Sequence, residues 1–238
     1  MLFSDPRSSA HLGAWTNEDA YDKEGLGSQF FPYFKPKKMA ITSLDRLDLS
    51  KTYSYADYLQ WQFEEMVELI QGKTIRMSPA PNRKHQEIST NLFRFMVQRF
   101  DNKSACKLYT APFDVRLYDL RQSKKADQEI FTVIQPDLCI ICDPEKLDEQ
   151  GCNGAPDLIV EILAKGNARK EVRTKFNLCE AAGVREYWIV FPYESVLQQF
   201  VLDDIGKYQL KDSFAEDEIF RGHIFPELEI SLEEVFQK

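Results

Sequence analysis

No apolar run in the chain approaches the roughly 18 residues that a membrane-crossing helix needs, and no signal-peptide core opens it. A membrane partner is therefore not expected, and the expected compartment is the cytoplasm. Positive charge is also short. Lys and Arg number 30 against 38 Asp and Glu, a formal net charge of −8. An acidic chain is not a general nucleic-acid coat, so any nucleic-acid contact must be local. Cysteine is sparse and odd in number, five in all. That pattern predicts reduced thiols rather than a disulfide framework. Cys139 and Cys142 form a C-x-x-C, but on a strand they face opposite ways, which argues against a metal clip. Internal repeats and low-complexity tracts are absent.

What is present supports a sizeable core. The chain has 238 residues, 43% of them apolar and 13% aromatic, enough for one domain with additions or two small ones. Residues 1–38 are rich in Gly, Pro and Ser and have no clear period. They read as an extension, loosely ordered or draped on the surface, with Met39 a candidate alternative start. Residues 39–238 are expected to form a single domain.

The most informative stretch runs from Ala155 to Phe191. Residues 158–163 are a bounded apolar run and predict a buried strand. A helix is predicted over residues 168–182, stopped by Gly183, and residues 186–191 predict a second strand rich in aromatic and β-branched residues. Strand, helix, strand implies a parallel crossover with a helix on the sheet. Two charges sit where packing alone would not put them. Glu161 shares a strand face with Ile159 and Leu163. Lys175 falls within the apolar arc made by Val172, Phe176, Leu178, Cys179 and Ala182. Such a Lys either snorkels, or pairs with Glu171 at i,i+4, or points with Glu161 into one polar pocket.

Elsewhere, Ser54 predicts an N-cap for a short helix over 55–62. Strands at 67–70 and 74–77 flank a hairpin turn. A helix over 85–100 carries Ile88, Leu92, Phe95, Met96 and Phe100 at helical spacing. Strands are predicted at 107–111, 114–118 and 133–143, the last interrupted by Pro136-Asp137. Residues 152–154 read as a loop. A hairpin is predicted from 196–202 and 207–210, and a short acidic helix or turn at 231–236. The strands at 133–143, 158–163 and 186–191 should be neighbours in one mixed sheet.

If those strands are neighbours, Asp137 and Glu161 converge. Two hard oxygen ligands suit Mg²⁺ or Mn²⁺ with several retained waters. Such an ion can polarise a phosphodiester oxygen and acidify a bound water, and a nearby ammonium can neutralise charge on the phosphate. Asp137 also reads as a turn or cap carboxylate. The second Pro-Asp pair, Pro156-Asp157, suits a turn role at a strand mouth. His85, at a helix start, reads as a surface or capping residue or as a site residue.

An ordered set of segments carries a resemblance: Glu68-Leu69-Ile70-Gln71-Gly72-Lys73, then Met77-Ser78-Pro79 with His85-Gln86, then Gln135-Pro136-Asp137-Leu138, then residues 156–163, then Lys175 and residues 183–190. Over roughly 53–208 the chain resembles the Uma-type restriction endonuclease family of the PD-(D/E)xK nuclease superfamily. The resemblance implies an α/β fold (α+β, mixed sheet): a restriction endonuclease-like core with flanking helices and additional β-hairpins. It implies Asp137 and Glu161 as metal ligands for Mg²⁺ or Mn²⁺, Glu68 as a third acidic group, and DNA as substrate. The superfamily's Lys two residues after the Glu is Leu163 here, and in this family that role falls to the helix residue Lys175. The chain departs from the family at Ala164-Lys165-Gly166-Asn167, where Ser-Pro-Ser/Thr is usual, at Glu171, usually Asp, and at Cys179, usually Tyr.

Three functions stay open at this stage. The first is a divalent-metal-dependent endonuclease hydrolysing DNA. The second is a nuclease-fold protein, catalytically impaired, that binds nucleic acid or protein. The third is a tightly specific nuclease, dimeric, needing a partner or a modified substrate.

Overall fold

The computed structural model describes residues 41–237 apart from 63, 78–81, 101–103, 120–124 and 165–167, and leaves the side chains of 168–171 undescribed. The expected extension over 1–38 lies outside the described residues, as does most of the departing loop at 164–167.

The chain opens with α1 (Tyr55–Tyr58), β1 (Val67–Ile70), β2 (Lys73–Arg76) and α2 (Arg83–Arg99). Helix α1 is shorter than its predicted span, a single turn held by a capping box in which Ser54 and Asp57 satisfy each other's backbone N–H. The β1–β2 hairpin turns at Gln71 and Gly72, both at positive φ, as a two-residue turn between twisted strands requires. A Cβ on Gly72 would also lie 2.2 Å from the Thr52 methyl carbon. Asn82 caps α2 by accepting from the His85 N–H.

Next come β3 (Lys107–Thr110), β4 (Val115–Arg116), β5 (Val133–Ile134), β6 (Leu138–Ile141), β7 (Leu147–Asp148), β8 (Gly151–Asn153) and β9 (Leu158–Ile162). Then follow α3 (Ala168–Ala182), β10 (Glu186–Phe191), β11 (Val196–Leu202), β12 (Tyr208–Ala215), β13 (Ile219–Arg221), β14 (Glu229–Ser231) and α4 (Leu232–Phe236). The crossover is as its pattern implies: β9 and β10 are parallel neighbours, and Gly183, at positive φ, donates to the Cys179 carbonyl to end α3 between them.

Among the described residues two six-stranded sheets result, in the orders β2-β1-β5-β4-β8-β7 and β12-β11-β10-β9-β6-β3, with β13 and β14 as a separate ribbon. This corrects the single strand expected over 133–143. The run breaks at Gln135-Pro136-Asp137: β5 pairs with β1 and β4 in the first sheet, while β6 pairs with β3 and β9 in the second. Pro136 has no N–H to continue a ladder, so the chain changes sheets there. The loop expected at 152–154 is instead mostly strand β8, parallel to β4. The second strand of the last hairpin is longer than predicted.

The second sheet has two buried faces. One carries Leu138, Ile140, Leu158, Val160, Ile162, Trp188 and Val190 and packs on Ile88, Leu92 and Met96 of α2 and on α4. The other carries Cys139, Ile141, Ile159, Tyr187 and Ile189. It packs on Cys179 and Ala182 of α3 and on Ile70, Val115, Ile134 and Cys152 of the first sheet. Period-2 alternation puts Glu161 on that second face, between sheet, helix and sheet. The cysteine expectation is also corrected. Cys106 and Cys142 form a disulfide, while Cys139, Cys152 and Cys179 are free and buried. The antiparallel register that pairs Lys107 with Ile141 sets Cys106 opposite Cys142 one step on. Among the described residues no helix is long and apolar enough to cross a membrane.

Candidate functional site

The β6–β9 register pairs Leu138 with Val160. One step further, Asp137 comes opposite Glu161. The Asp137 carboxylate is fixed by its neighbour strand: Oδ2 accepts from the Ile162 N–H at 2.7 Å. The change of sheet at Pro136 thus delivers Asp137 to the start of β6, beside the end of β9.

Lys175 enters from α3. Its side chain is only 12% exposed, and Nζ lies 3.1 Å from Glu161 Oε1 and 3.5 Å from Oε2. Of the readings open for Lys175, snorkelling to solvent is excluded by this geometry, and the Glu171 side chain is outside those described. A second carboxylate completes the grip. Glu68, on β1 of the other sheet, lies 2.8 Å from Nζ through Oε1. The same oxygen accepts from the Gln135 N–H at 2.8 Å. Lys175 therefore ties α3 to a strand of each sheet.

His85 sits in the first turn of α2 and is buried. Its Nε2 is 3.3 Å from Asp137 Oδ1, and its Nδ1 is buried with no hydrogen-bond partner among the described residues. The structure thus brings the five candidates together as two groups, His85 with Asp137 and Lys175 with Glu68 and Glu161, which meet where Asp137 accepts from the Ile162 N–H next to Glu161.

The electrostatics follow from two carboxylates on one ammonium, with a third, Asp137, near Glu161. Burial raises the Glu161 carboxyl most. Lys175 opposes this, Asp137 and Glu68 add to it, and the result is about 8. Burial works against the Lys175 charge, but Glu161 and Glu68 outweigh it and hold the ammonium above its ordinary range. Burial likewise disfavours charge on His85, and Asp137 with the backbone at Ile162 reverses the direction, so the imidazole is raised. Cys179, on the buried face of α3, also borders Glu161. Burial lifts its thiol well above the ordinary value, and Glu161 adds to that.

Two groups beside the site were not picked out from sequence. The Gln135 N–H orients Glu68, and no sequence signal marks a backbone donor. The Tyr187 hydroxyl is buried without a hydrogen-bond partner among the described residues. Burial raises it first and Glu161 second, which places it near that carboxylate. Its sequence signal was a polar tip on the strand face that Ile189 shares. Asp157, expected in a turn role at the strand mouth, is instead a buried cross-strand clamp: it accepts from the Cys142 N–H and pairs with Arg185.

Among the described residues no group of three or more His, Cys, Asp and Glu side chains is arranged to hold a metal ion. The Asp137–Glu161 pair is therefore a two-carboxylate arrangement, with Glu68 committed to Lys175.

The fold resembles that of a solved protein from Anabaena variabilis ATCC 29413, described as a "putative nuclease belonging to DUF820". The TM-score is 0.58 at 19% identity, over 77% of this chain and 97% of that one. None of the curated proteins matches the chain. The profile of the Uma2 family, described as "Putative restriction endonuclease", matches residues 55–233. That span takes in every candidate residue above and most of the chain, and the chain belongs to the Uma2 family.

Proposed function

We propose that the chain is a divalent-metal-dependent endonuclease that hydrolyses DNA phosphodiester bonds. The observation that supports it best is the buried Lys175 ammonium between Glu68 and Glu161, with Asp137 opposite Glu161. A purely structural ion pair needs one carboxylate, and a third and surplus one raises the energy of the fold.

The donors present fit a hard cation. Asp137 and Glu161 offer carboxylate oxygens only, and the Glu161 charge, opposed first by burial and then by Asp137 and Glu68, is favoured by a nearby positive charge. Asp137 and Glu161 would hold Mg²⁺ or Mn²⁺, with waters completing the shell. When bound, such an ion supplies phosphoryl polarisation and a more acidic water. The remaining work belongs to the chain. Lys175 neutralises charge that builds on the phosphate. Glu68, set by the Gln135 N–H, keeps Lys175 in place. The Ile162 N–H and His85 hold the two Asp137 oxygens in a fixed orientation.

The test is cleavage of supercoiled plasmid in Mg²⁺, in Mn²⁺ and in EDTA. Metal-dependent nicking or linearisation, lost in Asp137→Asn and Glu161→Gln, supports the reading. Equal Mn²⁺ binding by wild type and both variants in calorimetry removes those residues as ligands. A second reading is a nuclease-fold binding protein without turnover. It is favoured by the contact of Lys175 with both Glu161 oxygens, which leaves that carboxylate already satisfied. DNA binding with no cleavage in either ion would select it.

A further inference from the structure

The β9 and β10 strands are parallel, and open sheets bind ligands beyond the carboxyl ends of parallel strands. At that end, Leu163 donates to the Val190 carbonyl, and the chain turns through Pro192 and Tyr193 into β11. The start of α2 meets this turn. Asn82 Nδ2 donates to the Tyr193 hydroxyl at 3.2 Å, and Lys84 Nζ stands 5.2 Å from the centre of the Tyr193 ring. Arg83, beside it, is 90% exposed in its side chain. After Lys84 comes His85, which reaches Asp137. Four consecutive residues therefore run from an exposed aromatic and basic surface into the candidate site.

We infer that Arg83, Lys84 and Tyr193 form the DNA-docking surface that feeds the phosphodiester to Asp137 and Glu161. The inference rests on the nuclease reading and deepens it. The chemistry is specific to a nucleic-acid strand. Two cations set side by side bind successive phosphates. Tyr193, a residue 48% exposed and anchored through its hydroxyl, offers an aromatic face for a base or sugar next to the phosphate. Lys84 is already drawn to that ring, so the cation and the stacking face are held together. In an acidic chain this is the local contact that DNA requires. Two acids temper it. Glu87 lies 3.6 Å from Arg83, and Glu194 follows Tyr193 in sequence. Glu87 thus holds down the Arg83 charge, which makes it an informative position.

The test is fluorescence anisotropy of a labelled DNA duplex with a short single-stranded overhang. It uses the full chain, in Ca²⁺ and in EDTA, across a salt series. Arg83→Gln and Lys84→Gln are each expected to weaken binding several-fold and to lower the slope of log K against log salt by about 0.9. Tyr193→Ser is expected to weaken it about tenfold, with Tyr193→Phe recovering most of that. Glu87→Gln is expected to tighten binding about twofold, by releasing Arg83. Thermal melts accompany each variant, and all four positions are exposed or half-buried. Wild-type binding with variants that match it in affinity and slope overturns this surface and leaves the nuclease reading standing. A wild type that binds no DNA under any of these conditions overturns both.

Discussion

Glu161 and Glu186 lie on neighbouring parallel strands, and both are buried carboxylates. Their surroundings differ in kind. Glu186 is fully enclosed and accepts four hydrogen bonds, from the Trp188 indole, the Gln199 amide and the backbone N–H groups of His223 and Ile224. Every donor is neutral and fixed, and together they lash β10 to β11 and to the turn before β14. Glu161 has instead an ammonium, two further carboxylates within electrostatic reach, and a raised carboxyl. One carboxylate is spread over dipoles and is settled. The other is crowded, and its energy depends on what else occupies the site. A buried acid with matched donors is part of the fold, whereas a buried acid among other acids is held there against its own preference, as functional groups are.

The contrast breaks most visibly through stability at Glu186. Glu186→Ala orphans a buried indole N–H and two backbone N–H groups, and leaves the Gln199 amide only its bond to the Arg221 carbonyl. Each costs on the order of 1–3 kcal/mol when left unpaired, so a loss of about 4 kcal/mol or more is expected in urea unfolding. A loss under about 1 kcal/mol would mean that water replaces the carboxylate, and the distinction drawn above would fall.

Next in size is the effect on chemistry. Lys175→Met should lower plasmid cleavage by about 10²–10³-fold, the range for removing one electrostatic stabiliser of a transition state. The chain should stay folded, because Glu161 can take up a proton once its ammonium is gone. Mn²⁺ binding should persist. Full activity in Lys175→Met, given an active wild type, would reduce Lys175 to a structural pair.

A pH dependence sharpens the same point with a smaller effect. Glu161 is raised when folded, from about 4.5 to about 8. The folded state then holds a proton that the unfolded state has released, so stability falls as pH rises across that window. His85 acts in the same direction: raised when folded, its contribution is complete below its ordinary value and is lost as pH climbs through the folded one. Lys175 is charged in both states throughout and adds no slope there. The melting temperature of wild type should therefore drop more between about pH 5 and about pH 8 than that of Glu161→Gln, which keeps only the His85 part. Parallel profiles would show that Glu161 ionises normally.

How much of this was legible in sequence follows the range of the interactions. The β9–α3–β10 unit was, because apolar runs, helical period and a stopping glycine are local signals. Lys175 was, because a cation on an apolar arc is visible from spacing alone. Glu68 was reached only through family resemblance, since a Glu in Val-Glu-Leu-Ile says nothing locally about a Lys 107 residues on. The split of 133–143 between two sheets was hidden, because both halves are apolar and only their partners, β1 and β9, differ. The Cys106–Cys142 bond was hidden for the same reason: it depends on cross-strand register. Glu186 shares a strand face with Trp188 and Val190, and that placement was a signal for a buried acid that went unread.

The two Pro-Asp pairs give the finest test. Both open a strand of the second sheet after a proline, and both aspartates accept from a backbone N–H of a neighbouring strand, Ile162 for Asp137 and Cys142 for Asp157. They differ in their other partner. Asp137 faces a buried His85 and stands opposite Glu161, while Asp157 faces Arg185, which is mostly exposed. An exposed ion pair contributes about 1 kcal/mol or less, being screened by water and salt. Asp157→Asn keeps an oxygen for the Cys142 N–H and loses only that pair. It should cost about 1 kcal/mol in urea unfolding, shrinking at high salt, and should leave cleavage unchanged. Asp137→Asn makes the same atomic change and should leave the fold intact while abolishing Mn²⁺ binding and cleavage. If the two substitutions behaved alike in both measurements, the surroundings described here would not be what separates a strand-opening clamp from a site residue.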